Sequence, residues 1–164
     1  MRVDFRAFAA TIALSIGLLT AITSCTTADQ AAVKAAPRIS DATFEAAARQ
    51  VCLGTKHIFD TDTSLPKNAG NKQSADFLDH LDATFADLVR QLRAIPVAVA
   101  DQPAVSGWLA DWDAYVAYGH TYAAAVRTGS EGPLIQRDSA SQGALRRRIQ
   151  AFATANNMAS CHFQ

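Results

Sequence analysis

The sequence predicts an all-α protein, a four-helix up-down bundle that follows an N-terminal signal peptide and a flexible tether. Four segments carry apolar residues at helical spacing, and no segment alternates apolar and polar residues as a half-buried strand does. Stretches rich in proline, glycine and asparagine separate these segments. About 125 of the 164 residues follow the tether, which is enough for one domain.

Residues 1–24 have the composition of a secretory signal peptide. Arg2 and Arg6 precede an apolar run from Ala7 to Ile22, and a short basic region before a short apolar region is typical of such signals. The run is shorter than the roughly 20 apolar residues that span a bilayer. We therefore expect residues 1–24 to be removed and the rest of the chain to be exported.

The end of this run carries a more specific pattern. Ile22-Thr23-Ser24-Cys25 resembles the lipobox of bacterial lipoproteins, in which small residues precede an obligatory cysteine. The resemblance implies transfer of diacylglycerol to the Cys25 thiol, cleavage before Cys25 and acylation of the new amino terminus. Lipid on Cys25 would anchor the protein to the outer face of a bacterial membrane. The alternative is an ordinary signal peptide cut near Ala21 or Ser24, which leaves Cys25 as a free thiol.

Residues 25–38 are predicted to form a flexible tether after the lipidated cysteine. Val33 is their only large apolar residue, so this stretch cannot bury a core of its own. Pro37 ends any transient helix there. The bundle domain then covers residues 39–164.

The first helix is predicted to start near Ser40, whose hydroxyl can accept a hydrogen bond from an amide of the first turn. Ile39 and Phe44 occupy the two positions of a hydrophobic staple around this start. The helix either stops at Gly54 or continues towards Phe59. A polar loop over residues 60–72 follows.

The remaining three helices are read from apolar spacing and from proline and glycine. The second is predicted from Ser74 to Ala94, with Pro96 beyond its end. The third starts between residues 101 and 103 and ends at Gly129, since proline is tolerated in a first turn. The fourth is predicted from residue 138 or 139 to Asn157.

The chain has three cysteines, and two of them, Cys52 and Cys161, remain as thiols if Cys25 is lipidated. The compartment of an exported protein is oxidising. We therefore predict a Cys52–Cys161 disulfide, with two unpaired buried thiols as the alternative. The up-down topology makes this bond awkward, because Cys161 and the start of the fourth helix lie at opposite ends of the bundle. Either the first helix extends well past Cys52 or the last residues fold back.

The third helix carries the residues most suited to binding. Trp108, Trp112, Tyr115 and Tyr122 recur at helical spacing, and His120 lies at the edge of the same face. Aromatic side chains with polar tips suit interfaces and ligand pockets. The stripe is therefore a candidate ligand or partner face, although the same spacing is also typical of a core.

The histidines suggest a second hypothesis. Asp76 and His80 share one side of the second helix, and His120 lies near Asp113 on the third. Histidine is the usual residue of pH-responsive sites. A metal site would need a further ligand from another helix. The sequence does not identify that ligand, so no metal site is predicted.

Composition and motifs exclude several functions. The net charge of zero provides no basic surface for nucleic acid, and no nucleophile, zinc-protease or phosphate-loop motif is present. Met158 stands where a C-x-x-C-H haem motif needs its first cysteine, so we expect no haem and no other cofactor. We favour a non-enzymatic envelope lipoprotein that binds a partner protein or an apolar ligand. The alternative is a metal- or pH-responsive sensor that uses His80 or His120.

Overall fold

The computed structural model describes residues 35–62, 65–130 and 132–163. The predictions for the signal peptide, for Cys25 and for most of the tether lie outside these residues. The described chain contains helices α1 (Ala42–Asp62), α2 (Asn71–Arg93), α3 (Gln102–Thr128) and α4 (Gly132–Ala155), then a 3₁₀ turn at Ala159–Cys161, and no strand. The predicted all-α class is confirmed. None of the described helices has both the length and the apolar character needed to cross a membrane.

The helices pack side by side in alternating directions. Contacts between α2 and α3 run from Arg93–Asp113 at one end to Asp76–Arg127 at the other, so these two helices are antiparallel. On its other side α3 packs against α4, where the Trp108 Nε1–H donates to the carbonyl of Ile149 at 3.2 Å. The core is continuous across the bundle, and its largest fully buried apolar side chains are those of Trp108, Phe44, Leu88, Leu92 and Met158.

The start of α1 is fixed by two aspartates, not by the predicted Ser40 cap. Asp41 Oδ1 accepts from the N–H groups of Thr43 at 3.1 Å and Phe44 at 3.0 Å, which is the pattern of an N-cap. The Ser40 hydroxyl instead donates to Asp101 Oδ2 at 3.0 Å, at the start of α3. The cap therefore lies one residue later than predicted, because Ser40 is drawn into a contact between elements.

The C-terminal segment, residues 156–163, turns back along α1. Asn157 adopts the left-handed conformation with φ of 55°, and the Ser160 hydroxyl then donates to the carbonyl of Arg49 at 3.1 Å. In the described part of the chain this segment lies against both α1 and α4, and no Cα atom of α1 comes within 8 Å of one in α4. The segment thus takes the place of direct packing between the first and last helices.

The predicted disulfide is present. Cys52 and Cys161 are joined with their Cα atoms 5.0 Å apart, across 109 residues of sequence. Both routes foreseen for the bond are used: α1 continues to Asp62 so that Cys52 lies within the helix, and the last residues fold back. Both cysteines are fully buried.

The start of α4 differs from the sequence prediction, and α1 takes the longer of its two predicted alternatives. α4 begins at Gly132, several residues before the expected start, because Pro133 suits the first turn of a helix. α1 runs through Gly54, where an added Cβ would meet nothing within 4 Å. The glycine is exposed, and an exposed glycine weakens a helix without ending it.

Candidate functional site

The predicted aromatic face of α3 does not form one exposed surface. Trp108 and Trp112 are only 2% and 3% exposed and belong to the core. Trp108 stacks on Phe152 of α4 with ring centroids 5.0 Å apart, which covers the side of α3 that carries both indoles. Their assignment to a ligand face is therefore corrected, since a helix packed on both sides buries the centre of its aromatic stripe.

Tyr115 and Tyr122 lie at the border of this core and are partly exposed. The ring of Tyr115 meets Phe85 of α2 edge-on at 5.7 Å. Tyr122, two turns later, stacks on Tyr118 at 6.4 Å. Tyr115 is thus the residue of the predicted face that reaches an open cleft while still contacting the core.

A cleft with a volume of about 660 Å³ lies next to Tyr115. It is bounded by α1, α2, α3, α4 and the C-terminal segment, and we call it the aromatic cleft. Its apolar lining consists of Phe59, Phe77, Leu81, Phe85, Tyr115 and Phe163. Every one of the four helices therefore contributes to it, together with the chain's last described residue.

Phe85 is the centre of the aromatic lining. Its ring lies 4.8 Å from Phe59 of α1 and 5.4 Å from Phe163 of the C-terminal segment. On the core side it lies 5.5 Å from Trp112. Phe163 stands two residues after the disulfide, so the Cys52–Cys161 bond holds one wall of the cleft against α1.

The charged groups of the cleft leave one cation without an anion. Lys56 and Asp60 pair with each other at 2.9 Å on α1. The imidazole Nε2 of His162 lies 3.2 Å from the carbonyl of Gln150. Arg146 of α4 forms no ion pair with any carboxylate in the described ranges, and its charge opposes the rise that burial causes in the pKa of Tyr115. The cleft therefore combines an apolar floor with one uncompensated guanidinium.

A second group of titratable side chains lies between α2 and α3. His120 Nδ1 is 3.9 Å from Asp79 Oδ1 and 3.8 Å from Asp82 Oδ2, and we call these three residues the carboxylate–histidine cluster. Arg127 holds the other oxygen of Asp79 at 2.6 Å and also Asp76 at 3.0 Å. Asp79 is thereby oriented with one oxygen towards His120.

Asp82 is the unusual member of the cluster. The residue is 7% exposed, and its Oδ2 is buried without a hydrogen-bond partner among the described residues. The pKa of Asp82 is raised to about 6. Burial is the main cause, the charge of His120 lowers the pKa, and the charge of Asp79 raises it. A Cβ on Gly119 would lie 2.0 Å from Asp82 Oδ1, so only glycine at that position leaves room for the carboxylate.

The cluster differs from the histidine sites considered in the sequence. Asp113 pairs with Arg93 at 2.7 Å, and the carboxylates that lie near His120 are those of Asp79 and Asp82. Asp76 is bound by Lys72 and Arg127, and His80 lies outside the cluster. Asp79 and Asp82 were not identified from the sequence. The sequence does contain one indication of such a site, a carboxylate at position 82 within an otherwise apolar helical face.

The aromatic cleft and the carboxylate–histidine cluster are two places where the described residues offer binding chemistry. They share α2 and α3 but no residue: the cleft takes Phe77, Leu81 and Phe85 from α2, and the cluster takes Asp79 and Asp82. No protein-family model matches the chain, and neither the curated proteins nor the solved structures contain one similar to it.

Proposed function

We propose that the protein is a lipid-anchored envelope protein, without enzymatic activity, whose bundle binds a small amphiphilic molecule in the aromatic cleft. The molecule has an apolar body and one anionic group. The observation that supports this function best is the cleft itself: about 660 Å³, an aromatic and aliphatic lining, and Arg146 as its one unpaired ion among the described residues.

The size and lining of the cleft suit a small ligand. Binding sites for small molecules typically have volumes of about 300–1,000 Å³ and a mainly apolar lining with few polar groups. The aromatic rings of the cleft contact each other from three elements, so the apolar wall is formed before a ligand arrives. A preformed wall lowers the ordering cost of binding.

Arg146 gives the cleft its preference for an anion. A guanidinium can donate two parallel hydrogen bonds to a carboxylate or a phosphate. Lys56 does not compete for this role, because Asp60 already neutralises it. A medium-chain fatty acid, whose chain would cover the aromatic floor while its carboxylate meets Arg146, represents the ligand class.

The proposed location rests on the sequence of residues 1–25. The lipobox-like Ile22-Thr23-Ser24-Cys25 supports lipidation of Cys25, and the buried disulfide agrees with an oxidising compartment. An anchored domain near a membrane would meet amphiphilic molecules at high local concentration. A Cys25→Ser variant should lose incorporation of a labelled fatty acid and leave the membrane fraction; retention of both would exclude lipidation at Cys25.

Ligand binding is tested by isothermal titration with dodecanoate and with dodecanol as the uncharged match. Wild type should bind dodecanoate at least about tenfold more tightly than dodecanol, since one charge-assisted contact contributes about 1.5 kcal/mol or more. An Arg146→Gln variant should lose this preference, while Arg147→Gln, an exposed neighbour outside the cleft, should keep it.

Two results would overturn the proposal. One is the absence of dodecanoate binding by wild type; the other is equal binding by the wild-type and Arg146→Gln proteins. Native mass spectrometry of protein extracted gently from its membrane is the companion measurement. A reproducible extra mass beyond the acyl chains would identify the natural ligand, whereas a bare domain would favour a protein partner.

A further inference from the structure

We propose that Asp79, Asp82 and His120 form a binding site for a divalent transition-metal ion between α2 and α3. The proposal does not depend on the aromatic cleft or on its ligand. The three side chains offer two carboxylate oxygens and one imidazole nitrogen, and these atoms all lie within 4.8 Å of one another.

Geometry brings the three ligands together from two helices. Asp79 and Asp82 are three residues apart on α2 and therefore share a face. His120 projects towards them from the antiparallel α3, with Nδ1 3.9 Å from Asp79 and 3.8 Å from Asp82. The side chains of Asp79 and His120 are 42% and 54% exposed, so they can move the short distance that coordination requires.

Asp82 supplies the independent observation that points to a ligand. Its side chain is 9% exposed, and its Oδ2, the oxygen nearest His120, has no hydrogen-bond partner among the described residues. A buried carboxylate oxygen without a hydrogen-bond partner is costly, because it has lost its contacts with water. A cation at this oxygen would supply the missing partner without breaking any existing hydrogen bond of Asp82.

The surroundings of the cluster fit such a site. Gly119 provides the space that Asp82 occupies, as an added Cβ would lie 2.0 Å from Asp82 Oδ1. Arg127 binds Asp79 Oδ2 at 2.6 Å and leaves Oδ1 facing His120. Groups that orient metal ligands from outside the coordination sphere typically contribute about 10- to 100-fold in metal affinity.

The donor set selects the class of ion. Imidazole nitrogen suits zinc, copper, iron and nickel, while carboxylates also accept manganese. Two carboxylates and one histidine leave at least one position for water, as in zinc sites with three protein ligands. We therefore expect Zn²⁺ to bind, with Mn²⁺ more weakly, and we expect Mg²⁺ to bind least because it prefers an all-oxygen set.

The test is isothermal titration of the purified, chelator-treated protein with Zn²⁺ alone. Wild type should bind one ion, and Asp82→Asn and His120→Gln should each weaken binding by at least about tenfold. Asp87→Asn, on the same helix but paired with Arg90 and Gln91, is the control for Asp82. His80→Gln, an exposed histidine of α2 outside the cluster, is the control for His120.

Three outcomes would overturn the site. Wild type could fail to bind Zn²⁺, the two ligand variants could bind as tightly as wild type, or His80→Gln could lose as much affinity as His120→Gln. The side chain of His120 is 54% exposed, so we expect His120→Gln to fold, and thermal unfolding of each variant checks this. Arg146→Gln should leave Zn²⁺ affinity unchanged, which separates this site from the aromatic cleft.

Discussion

Gly119 and Asp82 show how one residue on each of two helices determines their packing. A Cβ at position 119 would lie 2.0 Å from Asp82 Oδ1 and 2.5 Å from its Cγ, so the carboxylate and the side chain cannot share the space. Gly119→Ala should lower the free energy of unfolding by about 2 kcal/mol, within the range of overpacked cores. Chemical denaturation measures the change.

A double-mutant cycle checks this explanation. Asp82→Ala removes the colliding atoms, so adding it to Gly119→Ala should recover most of the loss. Additive effects of the two substitutions would show that the alanine destabilises the protein for another reason. Helices ordinarily favour alanine over glycine by about 1 kcal/mol. This preference would stabilise Gly119→Ala, so a measured loss of stability would have to come from the collision.

Asp41 gives the start of α1 a defined pH dependence. Hydrogen bonds from the N–H groups of Phe44, Ala98 and Thr43 lower its pKa below 3.8. A lowered pKa in the folded state means that the stabilisation is present above pH 3.8 and is lost as pH falls through the folded value. Asp41→Ala should therefore destabilise the protein at pH 7, and its difference from wild type should shrink as pH falls below 3.8.

Thermal unfolding of the wild-type and Asp41→Ala proteins over a series of pH values from 7 downwards provides the measurement. Glu45→Ala, in the same first turn, is the control, since Glu45 accepts none of these hydrogen bonds. A difference between wild type and Asp41→Ala that stays constant over the whole acidic range would contradict the role of the ionised carboxylate.

At the scale of elements, Asp101 joins the starts of α1 and α3. Its Oδ2 accepts from the Ser40 N–H at 2.9 Å, the Ser40 hydroxyl at 3.0 Å and the Asp41 N–H at 2.9 Å. Asp101 itself is 7% exposed. Asp101→Ala should cost about 2 kcal/mol, because it leaves donors unpaired at a partly buried site.

The exposed ion pair Arg93–Asp113 provides the comparison for this prediction. Both side chains are more than half exposed, 54% and 55%, and such pairs contribute about 0–1 kcal/mol. Denaturation of Asp113→Ala should therefore show a smaller loss than that of Asp101→Ala. Equal losses would mean that the Asp101 hydrogen bonds contribute no more than a surface pair.

The helices themselves were predictable, but their contacts were not. Apolar spacing identified all four, and Pro96 and Gly129 marked ends near Arg93 and Thr128. The α1 cap was misplaced by one residue because Asp101, 60 positions away, binds Asp41 and its neighbour. No local pattern reports a partner at that distance.

The candidate sites were also only partly predictable from the sequence. Tyr115 was named from its place on α3 and does line the cleft, whereas Trp108 lies in the core because Phe152 of α4 covers it. Asp82 was missed, since its role depends on Gly119 of a facing helix. Which side of a helix is covered depends on the order in which helices pack, and one sequence does not specify that order.

At the scale of the whole molecule, we expect the disulfide to affect both the free energy of unfolding and ligand binding in the aromatic cleft. Cys52→Ser with Cys161→Ser should lower the free energy of unfolding by about 4 kcal/mol, as expected for a closed loop of about 100 residues. The same change frees Phe163 from the wall of the aromatic cleft. Dodecanoate affinity should then fall, while Zn²⁺ affinity should not, because the carboxylate–histidine cluster lies between α2 and α3.

Denaturation and the two titrations on the double variant measure these effects together. The matched control is reduction of the wild-type protein, which should reproduce the variant if the bond alone is responsible. Unchanged dodecanoate binding in the reduced protein would show that the C-terminal segment stays in place without its covalent link.

The fold-back of the C-terminal segment also constrains when the molecule can complete its fold. Ile39 donates to Asn156 Oδ1 at 2.8 Å across 117 residues of sequence, and contacts of such long range form slowly. A chain made from its amino terminus emerges with α1 long before residues 156–163 exist. One flank of α1 therefore stays exposed to water until residues 156–163 are present. Terminal residues are poorly ordered in most domains unless they are tied down, but truncation after Ala155 would here leave one flank of α1 uncovered.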